Sequence, residues 1–542
     1  MSASGGTNRL PRAFAAIALA LFAYACGGGG GGGGGTNSIP PPGDDTAPQR
    51  GGTLVVGSTV DADAWNEYVS QQTLAINLLR RIYARLAQEQ GDAREHPPSF
   101  EPLLATSWSF SEDGLTLIFK LHDATWSDGT PLTAGDVRFT WTAQTSPKVG
   151  WTGASFKERI KDVQVVDAHT VAFRFDRAYP EMLADAVEGG ILPEHVFGRV
   201  PFDAWRTNDW SQVRIGSGPF LLDSWRPGEE IVLVRNPRYL NPDRPLLDKV
   251  VVRIVPDVGN LETQLATGAL DYVEGVPPQD AKRLAGTKGI SLLVFEYPMF
   301  DYVGWNGAKK PFDDPEVRRA LTLGIDRKAI VEDLLYGYGR VSTGPLLSTW
   351  WAADPALAAL PYDPDEARRM LAAKGFDAAH PLAFELTTNS GNRVREAVTL
   401  KIQEQLSRIG VKAAPRSFEM KAFRERNVAG NYDAYVAGWR FNGKLDLASI
   451  FGSLAVPPAG SNVVAYRSAE ADRLLEAIGA AADWPTAKDA YAKLARRIHD
   501  DQPYTFLYEG KRIAALGPRV RDMRIDVPSD PLARLESCWM AR

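Results

Sequence analysis

At 542 residues, 44% of them hydrophobic and 23% charged, the chain is too long for one small core and, at about 150 residues per domain, divides into more than one. Its 61 Lys and Arg against 66 Asp and Glu give a net charge of -5, which argues against nucleic acid as a partner because no basic excess is available to meet phosphates. Two cysteines, Cys26 and Cys538, make neither a disulfide framework nor a structural zinc site.

Arg9 and Arg12 precede an uncharged run from Ala13 to Ala25, which is shorter than the roughly 20 residues a membrane-spanning helix needs. The run reads as a signal peptide over residues 1–25, and the small residues Ala23 and Ala25 leave ordinary cleavage after Ala25 open. Nine glycines, Gly27 to Gly35, then Pro40, Pro41 and Pro42, give a polar segment to Arg50 that cannot bury enough apolar surface to fold; residues 26–50 read as a flexible tether.

From Thr53 onward, β-branched runs at Thr53–Gly57, Leu115–Leu121, Val171–Phe175, Ile231–Val234 and Val250–Val255 alternate with helical patterns. The chain is therefore mixed α/β. Asp363-Pro364-Asp365-Glu366 combines an acidic N-cap, Pro at the first helical position and Glu three residues past the cap, and Gly375 supplies the stop. Val394, Val398, Ile402, Leu406 and Ile409 recur every three or four residues and predict one helical stripe. Helices are also expected at Glu316–Leu323, Arg327–Tyr336, Ala469–Ile478 and Thr486–His499. The stretch from Pro298 to Phe506 is more helical than what precedes it, which suggests two lobes.

A search for catalytic chemistry finds little. The six histidines lie far apart without the i, i+4 spacing of a helical metal pair, and no G-x-S-x-G elbow occurs. Gly438 to Lys444 fits G-x-x-x-x-G-K in form, but Leu445 stands where a magnesium-binding Ser or Thr belongs, and Trp439, Arg440 and Phe441 crowd the loop. Gly216-Ser217-Gly218-Pro219 reads as a tight turn into a strand, since Pro219 has no N–H to offer a phosphate. The acid pairs Asp313–Asp314 and Asp500–Asp501 read as solvated charges near helix ends. No cofactor and no resident metal is expected, and the chain reads as a binding protein rather than an enzyme.

Motifs in register along residues 51–542 carry a resemblance. Leu104 to Leu115, Phe119-Lys120-Leu121 and Asp128-Gly129-Thr130-Pro131 lead to Gly216-Ser217-Gly218-Pro219-Phe220, Ser224-Trp225 and Arg235-Asn236-Pro237. Pro311 to Leu321, Ile325-Asp326-Arg327, Tyr362-Asp363-Pro364 and Pro503 to Tyr508 follow. The series resembles the family 5 bacterial extracellular solute-binding proteins, the oligopeptide, dipeptide and nickel receptors of ABC importers. The resemblance implies a two-lobe periplasmic-binding-protein-like α/β fold of type II. In it the first lobe spans residues 51–297 with an extra subdomain at about 90–210, the second spans 298–506, and 507–542 return to the first. Two crossing strands near Phe295–Pro298 and Leu507–Lys511 would join them. It implies a ligand, most readily a peptide, held between closing lobes and handed to the permease subunits by a monomer. A nonpeptide solute such as an oligosaccharide or metal chelate is the alternative, and an anchored periplasmic hydrolase a more distant one. Cys26 resembles the lipobox cysteine of bacterial lipoproteins, with Ala23 where that motif prefers Leu. That implies lipidation of Cys26 and anchoring to a membrane in the periplasm or at the outer face of the cytoplasmic membrane.

The same resemblance points to ligand contacts. Tyr432 to Trp439 is similar to the family strand that delivers them. In peptide receptors an aspartate three residues past that tryptophan pairs with the ligand ammonium, and here Asn442 stands there, with Asp446 either a substitute or the N-cap of a following helix. Arg393 and Arg395 are candidates for clamping a ligand carboxylate, against a reading as solvated arginines. Tyr302 and Trp305 are either an aromatic wall or core, and Arg440 beside Trp439 is placed to face an anionic group.

Overall fold

The computed structural model describes residues 47–91, 96–441 and 446–542. In chain order the first lobe contains β1 (Thr53–Ser58), α1 (Thr73–Ile82), β2 (Ala105–Phe110), β3 (Thr116–Leu121), α2 (Ala134–Thr145), β4 (Ile160–Asp167), β5 (Thr170–Phe175) and α3 (Met182–Val187). Then come β6 (Phe220–Arg226), β7 (Glu230–Arg235), β8 (Lys249–Ile254), β9 (Tyr272–Glu274) and β10 (Ser291–Glu296). The second lobe begins with β11 (Met299–Trp305), α4 (Pro315–Leu323), α5 (Arg327–Leu334), α6 (Pro364–Ala373), β12 (Ala383–Asn389), α7 (Arg393–Ser407) and β13 (Lys412–Phe418). It continues through α8 (Met420–Val428), β14 (Ala434–Arg440), α9 (Leu447–Phe451), α10 (Ala469–Ala480) and α11 (Trp484–Asp501), and β15 (Tyr504–Leu516) closes the series.

The strands and helices expected from β-branched runs, caps and apolar stripes are present, displaced by a few residues at most. Asp363 accepts from the Glu366 N–H at 2.9 Å with Pro364 at the first helical position, as the motif requires. Val398, Ile402 and Leu406 are fully buried along one face of α7. Ala75, Leu78, Leu79 and Ile82 do the same in α1.

Ten strands form one path in the order β6-β7-β8-β1-β9-β15-β11-β14-β12-β13. The thirteen-residue β15 belongs to both halves of it. Tyr504 to Tyr508 pair antiparallel with β11, while Lys511 to Leu516 pair with β10. The cores divide at the same place. Buried residues from β1 to Tyr297 and from Ile513 onward make one pair of hydrophobic clusters, and those from Phe300 to Tyr508 make the other. A separate four-stranded antiparallel sheet, β2-β3-β5-β4, belongs to the first lobe.

The Gly216–Pro219 turn has a packing cause beyond chain reversal. The Ser217 and Gly218 N–H groups donate to the Ile82 carbonyl at 2.9 and 2.7 Å, capping the end of α1. A Cβ on Gly218 would overlap the Arg81 carbonyl. We expect Gly218→Ala to cost about 2 kcal/mol through overpacking, read as a lower thermal midpoint with the fold retained; an unchanged midpoint would show that α1 has room to shift.

Of the paired acids, Asp314 lies at a helix end as expected and Asp501 departs from expectation. Asp314 is the N-cap of α4 and sits 2.8 Å from Lys374. Asp501, expected to be solvated, is buried, paired with Arg497 and accepting from the Tyr466 hydroxyl at 2.6 Å. The difference arises because α11 turns this end toward the core, and an ion pair then satisfies the buried charge. Gly438, Trp439 and Arg440 lie in β14, an extended conformation unlike a phosphate-binding loop, and Gly443 to Leu445 lie outside the described residues. Cys538 is a fully buried free thiol that burial pushes up to about 12, so little thiolate is available for reaction. Among the described residues no helix is long and apolar enough to cross a membrane.

Candidate functional site

A cavity of about 480 Å³ opens between residues of the segments 152–181 and 440–491. Phe156, Arg159, Tyr179 and Glu181 line one side; Arg440, Asp446, Trp484 and Tyr491 line the other. Its walls combine aromatic faces, guanidinium groups and carboxylates, and the Arg159 guanidinium lies 5.5 Å above the Tyr179 ring. A volume in the range typical of small-molecule sites, with charges of both signs, suits a chain-like ligand bearing both an ammonium and a carboxylate.

β14 brings Arg440, and not its neighbour Trp439, to this cavity because consecutive strand side chains face opposite ways. Trp439 turns into the aromatic cluster of the second lobe, donating its indole N–H to the Tyr504 hydroxyl at 3.1 Å and lying parallel to Tyr302 at 6.4 Å. Tyr302 is itself stacked on Tyr504 at 4.0 Å. Arg440 turns the other way and crosses to the first lobe. Its Nη1 donates to Thr73 Oγ1 at 2.6 Å and its Nη2 to the Ser529 carbonyl at 3.2 Å, with the guanidinium 5.4 Å from the Tyr297 ring. Burial lowers the Arg440 guanidinium from its ordinary value; Tyr297 opposes this and the nearby cation Arg512 adds to it.

Asp446 lines the cavity and is at the same time the N-cap of α9, accepting from the Ser449 N–H at 3.0 Å. Asn442 lies outside the described residues, as does Cys26. The arginines of α7 separate. Arg393 is exposed at the helix start, whereas the Arg395 side chain is only 11% exposed and donates from Nε to Asp301 Oδ1 at 2.6 Å and from Nη1 to Asn389 Oδ1 at 3.3 Å. Gly438 makes room for it, since a Cβ there would meet Arg395 Nη2 and Met299. Arg395 is thus occupied by an internal carboxylate.

Tyr302 and Trp305 do not form one wall. Three positions apart on β11, they face opposite sides of the sheet. Trp305 is buried in the other core of the second lobe, stacked on Phe312 at 5.5 Å and donating to Thr505 Oγ1 at 3.0 Å. Of the residues singled out from the sequence, Arg440 and Asp446 therefore line the cavity, Trp439 and Tyr302 pack in the aromatic cluster of the second lobe, and Arg393, Arg395 and Trp305 stand apart. Sequence reading missed Phe156, Tyr179, Trp484 and Tyr491, whose spacing resembles that of ordinary core aromatics.

Residues 99–462 match the family model described as Bacterial extracellular solute-binding proteins, family 5 Middle. The chain is 30% identical over 512 residues to the oligopeptide-binding protein AppA of Bacillus subtilis, covering 91% of this chain and 93% of that one. It is 27% identical over 471 residues to the heme-binding protein A of Haemophilus influenzae, covering 82% and 84%. The solved structure of B. subtilis AppA in complex with a nonapeptide superposes with a TM-score of 0.78 at 29% identity, over 92% of this chain and 100% of that chain. The substrate-binding protein CtaP of Listeria monocytogenes has the same fold, with a TM-score of 0.80 at 22% identity over 91% and 100%. With its two cores, its shared strand β15 and the cavity between them, the chain belongs to the family 5 bacterial extracellular solute-binding proteins.

Proposed function

We propose that the protein is the substrate-binding component of an ABC importer, taking peptides into the cleft between its lobes and presenting them to the permease subunits. The observation that carries this reading is the near full-length likeness to B. subtilis AppA, whose solved structure holds a nonapeptide. The mixed charges and aromatic walls of the cavity support it. Lobe division at residues 51–297, 298–506 and 507–542 belongs to the same proposal, with Glu296–Met299 and Tyr508–Lys511 as the crossings. A ligand touching both lobes favours the closed form by the contacts it gains there, and closure without turnover is the signal. In this reading the protein is a monomer without a cofactor, held outside the cytoplasmic membrane by a lipid on Cys26.

Asn442 favours a second reading. An amide in place of the aspartate gives no charge to replace the lost hydration of a ligand ammonium, and the Haemophilus influenzae relative is named a heme-binding protein, not a peptide receptor. Native mass spectrometry of the purified protein, followed by denaturation to release bound ligand, separates the two. Short peptides are expected; a single nonpeptide mass would retain the receptor and overturn the substrate.

A further inference from the structure

A second groove of about 190 Å³ adjoins the cleft and shares Pro180, Glu181 and Trp484 with it. Its remaining walls are apolar: Phe100, Phe110 and Leu183 from the first lobe, and Trp350 from the second. Phe110 ends the edge strand β2 and is 49% exposed, a large aromatic surface left in water at the mouth of a concave site. The opposite wall is rigid. Trp484 packs edge-on against Trp351 at 5.1 Å, and Trp350 against Tyr491 at 5.2 Å, so neither indole needs ordering when something enters.

We propose that this groove is a side-chain subsite of the ligand cleft that selects ligands carrying a large apolar, and best an aromatic, side chain. The inference rests on the peptide reading above. Three features support that occupant. The groove is continuous with the cleft, so a backbone held there can send one side chain into it. Its walls come from both lobes, so the side chain buries apolar area on each and adds to the free energy that favours closure. Glu181 sits at the junction with the cleft, which leaves the rest of the groove to aromatic, aliphatic and proline surface and disfavours a charged side chain beyond that point.

The test offers the purified full chain two synthetic nonapeptide pools and counts bound peptides by mass spectrometry. One pool, of Ala, Gly, Ser, Lys and Glu, carries a single Phe at each position in turn; the other has Ser in its place. Enrichment of Phe by about tenfold at a defined position is expected, and Phe110→Ser should reduce that enrichment several-fold. Equal retention of Phe and Ser peptides by the unmodified protein would overturn the subsite and leave peptide binding standing. Undiminished enrichment in Phe110→Ser would also overturn it. Failure to bind either pool would remove the peptide reading and the subsite together.

Discussion

Replacing Arg395 with Leu should destabilise the second lobe by about 3–5 kcal/mol, the usual cost of stranding one half of a buried ion pair. Arg395 and Asp301 have side chains only 11% exposed, and Arg395 also holds Asn389. Without the guanidinium, Asp301 remains buried with no cation against it. Burial already pushes the Asp301 carboxyl up in spite of Arg395, and losing the partner raises it further. The pH dependence follows from linkage. An acid whose folded pKa lies above its unfolded value of about 3.9 is protonated more readily in the folded state, so stability is greatest below that value and falls as pH rises through the folded pKa. The deficit in Arg395→Leu is therefore expected to be small near pH 4 and largest at neutral pH, and Arg395→Leu with Asp301→Leu should recover most of it. Denaturant unfolding at two pH values reads both effects. A variant of normal stability whose ligand affinity alone is lost would return Arg395 to the role of a carboxylate clamp.

That reversal shows where sequence reading stops. Arg395 stands near the start of a helix, and its partner Asp301 is 94 residues away on a strand, so nothing local distinguishes an arginine awaiting a ligand from one already satisfied. The elements themselves were legible because their causes are local: the Asp363–Pro364 cap, the four-residue stripe of α7 and the β-branched runs each act within one or two turns. The Gly216–Pro219 turn was legible as a turn, but its need for glycine comes from the α1 carbonyls, which only folding brings near. The opposition of Tyr302 and Trp305 was available from spacing, because an odd interval on a strand reverses the face. The cavity was half legible. β14 carries a family pattern, whereas Phe156, Tyr179, Trp484 and Tyr491 come from separated segments whose aromatic content is indistinguishable from that of a core.

Replacing Arg440 with Met should weaken ligand binding by about ten- to a hundredfold, because Arg440 is a tie between lobes. From the end of β14 it reaches Thr73 at the start of α1 and the carbonyl of Ser529, both in the first lobe, and lies near Tyr297 at the crossing. Tyr297 meets a second cation, Arg512, at 4.1 Å, which fixes the ring under the tie. Hydrogen bonds from a charged donor contribute about 1.5–3 kcal/mol, and here they form only when the lobes stand together. Their loss therefore falls on the closed state. Since the ligand must hold that state, its apparent affinity drops by the factor by which closure becomes less favourable. Methionine keeps the apolar stem against Tyr297 and removes only the charge and donors. Calorimetry with the ligand released from the purified protein reads the affinity, and small-angle scattering of the ligand-free chain should show a larger radius of gyration. Thr73→Val separates a tie from a direct ligand contact. It removes one acceptor of the tie without touching the guanidinium, so a tie predicts part of the same loss, whereas an Arg440 that serves only the ligand predicts none.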